Sequence, residues 1–182
     1  MKSVLISIQP KWCELICKCI GWDNQKPQYK KRLELRKTAP KPPFKAYIYC
    51  TKSRKPYESF AVSGKPFECG GKVIGEFICN YVLDHCEMSN ADMAELMSCV
   101  KREDILKYAK GKNVRGWHID NLVIYDEPKE LGEFHTLKKC NSCKSGYEST
   151  ACIYDENCIV SSQITRPPQS WCYVVRKEDE GK

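Results

Sequence analysis

At 182 residues, 42% hydrophobic and 29% charged, the chain is long enough for one domain with its own core and too apolar to be disordered. No apolar run approaches a membrane span, and Lys11, Glu14 and Lys18 interrupt the apolar N-terminus with no small-residue cleavage site after it. A cytoplasmic protein without a signal peptide is expected. The net charge of +7 is concentrated, because residues 26–65 carry twelve basic and two acidic residues. Such a segment fits an anionic partner, nucleic acid above all; the alternative is a basic surface kept for solubility.

In chain order, Val4, Ile6 and Ile8 alternate as a strand does. Pro10 suits the first turn of a helix, in which Trp12, Leu15, Ile16 and Ile20 recur at helical spacing up to Gly21. The run Lys30-Lys31-Arg32-Leu33-Glu34-Leu35-Arg36-Lys37 then alternates Leu33 and Leu35 with Arg32, Glu34 and Arg36. It reads as a strand with an apolar and a charged face. A carboxylate between guanidiniums can grip a polar ligand, since Arg donates in a planar fork and Glu accepts. A solvated edge strand with self-paired charges gives the same pattern.

Pro40, Pro42 and Pro43 mark an extended connection, and Lys45 to Cys50 a strand with Tyr47 and Tyr49 on one face. Thr51 to Gly71 is a long basic loop with interleaved aromatics, a length more often functional than not. Lys72 to Leu83 is a strand carrying the lone acid Glu76. Two short helices come next, Ser89–Val100 and Lys101–Ala109, with Ser89 as N-cap and Gly111 closing the second. Gly116 to Tyr125 returns to strand, Pro128–Leu131 opens a helical turn, and Cys172 to Val175 is the last strand.

Thirteen cysteines without a secretory signal read as reduced thiols plus a metal site. Cys13, Cys17, Cys50, Cys79, Cys99 and Cys172 fit small buried hydrophobes; Cys19, Cys69 and Cys86 are expected nearer the surface. Cys140-x-x-Cys143 with Cys152 and Cys158 can close a tetrahedron around a structural Zn2+, with His135 as a substitute ligand. Disulfides or free thiols are the alternative.

The segments Ile8-Gln9-Pro10-Lys11-Trp12, Lys31-x-x-Glu34-x-Arg36-Lys37, Val73-Ile74-Gly75-Glu76-Phe77 and Gly116-Trp117-His118-Ile119, in that order with the closing strand, resemble the ASCH domain of the PUA-like superfamily. The resemblance leaves out the cysteine insert. It implies an α+β fold: a small PUA-like β-barrel with flanking helices, one domain over 1–176 with the Cys-rich insert at 136–163 and a disordered tail at 177–182. It also implies that the Lys-x-x-Glu-x-Arg pattern lies along a cleft that binds RNA or a modified nucleotide.

Some family members are amidohydrolases of N4-acetylcytidine, and ribonuclease activity is claimed for another. The amidohydrolases use a Lys, a Thr three residues later and a Glu on a following strand. Here Lys31 matches and Glu76 is a candidate for the distant acid, but Glu34 stands where the Thr hydroxyl would be. A carboxylate at that place would accept hydrogen bonds or act as a base for water, a different reaction, which favours binding over that mechanism. The expected ligand-binding set is Lys11, Trp12, Lys31, Glu34, Arg36, Lys37, Trp117, His118 and Arg166. Within it, Lys31 and Arg36 are expected to hold a phosphate or a base oxygen and Glu34 an exocyclic amine. If the chain is an enzyme, Lys31, Glu34 and Glu76 form the acid–base set. Docking of a protein partner on the cysteine insert is the third reading.

Overall fold

The strand signal at Val4–Ile8 extends back to Lys2, giving β1 (Lys2–Ile8), which the other strands of the main sheet flank on both sides. The computed structural model describes residues 1–17, 31–52, 60–62, 65–67, 70–139 and 159–176. After β1 come α1 (Pro10–Cys17), β2 (Leu33–Arg36), β3 (Phe44–Cys50), β4 (Phe60–Val62), β5 (Lys65–Phe67), β6 (Lys72–Cys79) and β7 (Val82–Leu83). Then α2 (Ala91–Ser98) and α3 (Arg102–Ala109) precede β8 (Arg115–His118), β9 (Asp120–Lys129) and a 3-10 turn at Leu131–Glu133. The described chain ends with β10 (Phe134–Lys139), β11 (Ile159–Gln163), β12 (Trp171–Tyr173) and β13 (Val175–Arg176).

The strands share out into sheets ordered β12-β1-β3-β6-β9, β11-β10-β13, β2-β8-β7 and β4-β5. β1 and β3 run parallel, and the segment between them carries α1 and β2 to one side of the sheet. The other pairings are antiparallel.

β3 is covered on both faces, so its two alternating sets serve two cores. Ala46, Ile48 and Cys50 pack with Val4, Ile6, Ile16 and Trp117. Tyr47 and Tyr49 turn the other way, to Leu5, Phe134, Ile164 and Val174. A third cluster joins Leu35 of β2 to Ala94 of α2 and Ile105 of α3.

The structure breaks three expected strands, the first being Lys72 to Leu83, where β6 stays in the five-stranded sheet and β7 joins β8. Gly116 to Tyr125 is two elements in different sheets: β8 pairs with β2 and β7, and β9 edges the five-stranded sheet. Asn121, left-handed at φ 45°, lies at the start of β9, a conformation Asn tolerates better than most residues. Likewise the closing strand divides, with β12 on β1 and β13 on β10.

Gly75 lies where β9 crosses so closely that a Cβ would stand 2.3 Å from Val123 O, and the register shifts there. Asn90, not Ser89, takes the N-cap place of α2, and its amide is turned to Asp84 O. α3 ends at Lys110, left-handed with φ 49°, before Gly111. Cys86, expected near the surface, is fully buried against the third cluster, while Cys13, Cys17, Cys50 and Cys79 are buried and Cys99 and Cys172 half-buried. Cys19 and Cys69 lie outside the described residues.

Candidate functional site

β2 is too short to hold itself; its neighbours place it. Leu33 to Arg36 pair with His118 to Arg115 of β8, and Arg32 N–H donates to Met97 O at the end of α2. Beyond β2, Thr38 is gripped from two sides: Trp117 Nε1 donates to its carbonyl at 3.2 Å and Trp171 Nε1 to its hydroxyl at 3.0 Å. The charged face of β2 does not meet open water. It forms one wall of a cavity of about 640 Å³.

That cavity sits at the carboxyl ends of the parallel strands β1 and β3, the place where open sheets bind ligands. Ser7, Gln9 and Thr51 line it from those ends and Trp12 from α1. Asp104, Ile105 and Tyr108 of α3 form a facing part of the wall. The segment 167–170 closes a further side. Ser7 ties it down, donating from Oγ to Pro168 O at 2.6 Å and from its N–H to Ser170 O at 2.9 Å.

Three charged groups meet on the β2 wall, Lys31 and Glu34 buried and Arg36 half-buried. Lys31, 2% exposed, donates from Nζ to Leu33 O at 2.9 Å and to Ser98 O at 3.0 Å, and stands 3.2 Å from Glu34 Oε2. Ser98 is the last residue of α2, so the ammonium also meets the negative end of that helix. Arg36 donates from Nη1 to Glu34 Oε1 and to Leu35 O, and from Nη2 to Ser7 O at 2.6 Å. Its Nε is buried without a hydrogen-bond partner.

Burial is the largest influence on Glu34 and raises its pKa. The Lys31 and Arg36 charges and hydrogen bonds outweigh it, and the net shift is downward from 4.5. Glu34 is therefore an ionised acceptor at neutral pH.

Trp12 lines the cavity with Lys31 Nζ 5.2 Å and Lys11 Nζ 4.3 Å from its ring centroid. Lys37 lies over Tyr108, 5.2 Å from that centroid. Lys31, Glu34, Arg36 and Trp12 are thus brought together, and Lys11 and Lys37 stand beside two of the lining rings.

Four expected site residues are elsewhere. Trp117 is fully buried, edge-on to Phe44 at 4.9 Å, and no ligand can stack on it. Glu76 accepts from Tyr125 Oη at 2.6 Å and pairs with Lys45 at 2.9 Å, away from the cavity walls. Lys31, Glu34 and Glu76 therefore do not meet as one acid–base set. His118 stacks on Tyr81 and pairs with Asp120 at 2.8 Å. Arg166 is exposed and outside the lining, although residues 167–170 belong to it. The proposed zinc ligands Cys140, Cys143, Cys152 and Cys158 lie outside the described residues; the substitute His135 is buried on β10.

Sequence reading misses the α3 wall. Ile105 and Ala109 mark the inward stripe of that helix, and Tyr108, about 60° round the helix from Ile105 on the side away from Ala109, falls at its edge. Nothing in the pattern tells that this edge borders a cavity.

No family model matches the chain, and no curated protein does. Among solved structures the chain is similar to ASCH from Zymomonas mobilis, at 17% identity and a TM-score of 0.56, covering 98% of this chain and 91% of that one. A tyrosine-to-phenylalanine variant of the Zymomonas protein aligns at 16% identity and a TM-score of 0.57, over 99% and 94% of the two chains. At such identities the likeness is one of fold: the chain has the α+β architecture of ASCH structures. Among the described residues no helix is long and apolar enough to cross a membrane.

Proposed function

We propose that the cavity binds a nucleotide or a base of RNA, with Glu34 and Arg36 reading its polar edge and Trp12 lying against its plane. The observation that carries this is the ionised Glu34 carboxylate held beside the Arg36 guanidinium on the wall of a cavity of about 640 Å³. A donor and an acceptor set side by side match a base edge that offers a carbonyl next to an amine. The volume lies within the range of small-ligand sites. Tryptophan stacking adds about 1–3 kcal/mol per base. The fold supports the reading, because the resemblance to ASCH domains implies the same cleft.

Titration of the tryptophan fluorescence with ribonucleosides, nucleotides and short single-stranded RNA tests it. Saturable quenching is expected in the native protein and loss of it in Glu34→Gln and Arg36→Ala. Binding that survives both substitutions places the ligand elsewhere.

A further inference from the structure

Among the described residues, the charged side chains lining the inner cavity are Lys31 and Arg36 around Glu34, with Asp104 at the exposed rim. Most donors of the inner cations are also committed. Lys31 Nζ carries three N–H donors and has three oxygens around it, Leu33 O at 2.9 Å, Ser98 O at 3.0 Å and Glu34 Oε2 at 3.2 Å. Arg36 spends Nη1 on Glu34 and Leu35 O and one Nη2 proton on Ser7 O, which leaves its other Nη2 proton and its Nε–H for a neutral acceptor. A phosphate pushed against this wall would meet the Glu34 carboxylate, a like charge at low dielectric. A neutral group with its own donor meets no such opposition.

Further positive charge stands at the aromatic walls. Lys11 lies over Trp12 and Lys37 over Tyr108; both rings line the cavity and neither ammonium does. Among the described residues neither lysine makes an ion pair, so both keep their full charge for an incoming anion. Asp104, also on α3, is 61% exposed beside Lys107 and leaves the inner balance unchanged.

Resting on the base-binding reading above, we infer that the ligand is a nucleoside monophosphate unit taken base-first. Its uncharged hydrogen-bonding edge reaches Glu34 and Arg36, and its phosphate stays at the mouth with Lys11 and Lys37. The sequence pattern alone allows either a phosphate or a base oxygen on Lys31 and Arg36. The donor count commits Lys31 to the carboxylate and the backbone and leaves Arg36 two N–H groups beside it for an uncharged edge, so the phosphate falls to the outer lysines.

Calorimetric titration of the full chain with the common ribonucleosides and their monophosphates tests this, on the native protein and on Lys11→Ala/Lys37→Ala. For the base that binds, the monophosphate is expected about tenfold tighter than the nucleoside at low salt. That ratio should shrink toward one at high salt and in the double variant. A ratio of one in the native protein, or one unchanged by the double substitution, overturns the inference and leaves the base-binding reading in place. If neither nucleosides nor monophosphates bind, both fall. A dinucleotide that binds more tightly than the monophosphate, through the same lysines, marks an RNA strand as the source; an equal or weaker one marks the free nucleotide, and either agrees with base-first binding.

Discussion

Lys31 and Glu34 meet at 3.2 Å although residues three apart on a continuous strand point to opposite faces. The contact exists because β2 begins only at Leu33, and Lys31 lies in its irregular lead-in. The ammonium thereby curls beneath the strand, toward Ser98 O as well as the carboxylate. The pair is buried, at 2% and 4% side-chain exposure, and removing Lys31 leaves the buried Glu34 carboxylate with Arg36 as its remaining cation. Lys31→Met is expected to cost about 3–5 kcal/mol of stability, measured by urea unfolding. Lys31→Met combined with Glu34→Gln should recover part of that loss. If the double variant is no more stable than the single one, the pair is not the source.

The same carboxylate gives the protein an acid limb. Its folded pKa lies below 4.5, so the stability it contributes is present above the ordinary carboxylate value and is lost as pH falls through the depressed one. Melting temperature against pH should therefore fall below about pH 4.5 more steeply in the native protein than in Glu34→Gln. Lys31→Met should move that limb to higher pH, because burial then raises the Glu34 pKa with only Arg36 opposing it. Superimposable native and Glu34→Gln profiles would count against the assignment.

Much of this fold is legible from period alone. Alternation separates Ala46, Ile48 and Cys50 from Tyr47 and Tyr49, and both sets have cores. It tells which residues share a face; it does not tell what covers that face. Glu34 and Arg36 look like a solvated or ligand-facing edge in the sequence, and the structure buries the first to 3% exposure. Tertiary breaks are invisible for the same reason: β8 and β9 read as one strand because nothing in their composition shows that the chain changes sheets at Ile119. Trp117 and Trp12 are chemically identical signals, and only packing sends one to the core and the other to the cavity wall.

That difference makes the two tryptophans separable by experiment. Trp12→Ala is expected to weaken ligand binding by about 1–3 kcal/mol, the worth of a stacked base. Its effect on the melting temperature should be the smaller of the two, since Trp12 is only partly buried. Trp117→Ala empties a fully buried site between Phe44 and Trp171 and should cost about 3–5 kcal/mol of stability. Paired calorimetry and thermal melts on both variants check this; an equal loss of binding in folded Trp117→Ala would reverse the placement.

Cys79 and Cys86 supply a test of burial that needs no ligand. Burial pushes the Cys79 thiol up to about 12 and the Cys86 thiol up to about 11. The thiolate is the reactive form, so at neutral pH both are protonated as well as enclosed. Alkylation of the folded protein followed by peptide mass spectrometry should leave these two unmodified until denaturant is added. Rapid native labelling of Cys86 would contradict its place in the third cluster.

Glu76, the distant acid, is held by Tyr125 Oη at 2.6 Å and Lys45 at 2.9 Å, and burial, with that hydrogen bond next, raises the Tyr125 pKa well above its ordinary value. Such a phenol stays a donor through any physiological pH, so the carboxylate keeps a neutral and a cationic partner. The arrangement ties β6 to β9 and contributes stability, about 1 kcal/mol for the hydrogen bond. Glu76→Gln and Tyr125→Phe are both expected to lower the melting temperature by a few degrees. Glu34→Gln instead acts on the cavity, so ligand affinity should respond to Glu34 and not to Glu76. A Glu76→Gln protein that melts normally yet loses ligand binding would restore Glu76 to the site and require the cavity to reach across the sheet.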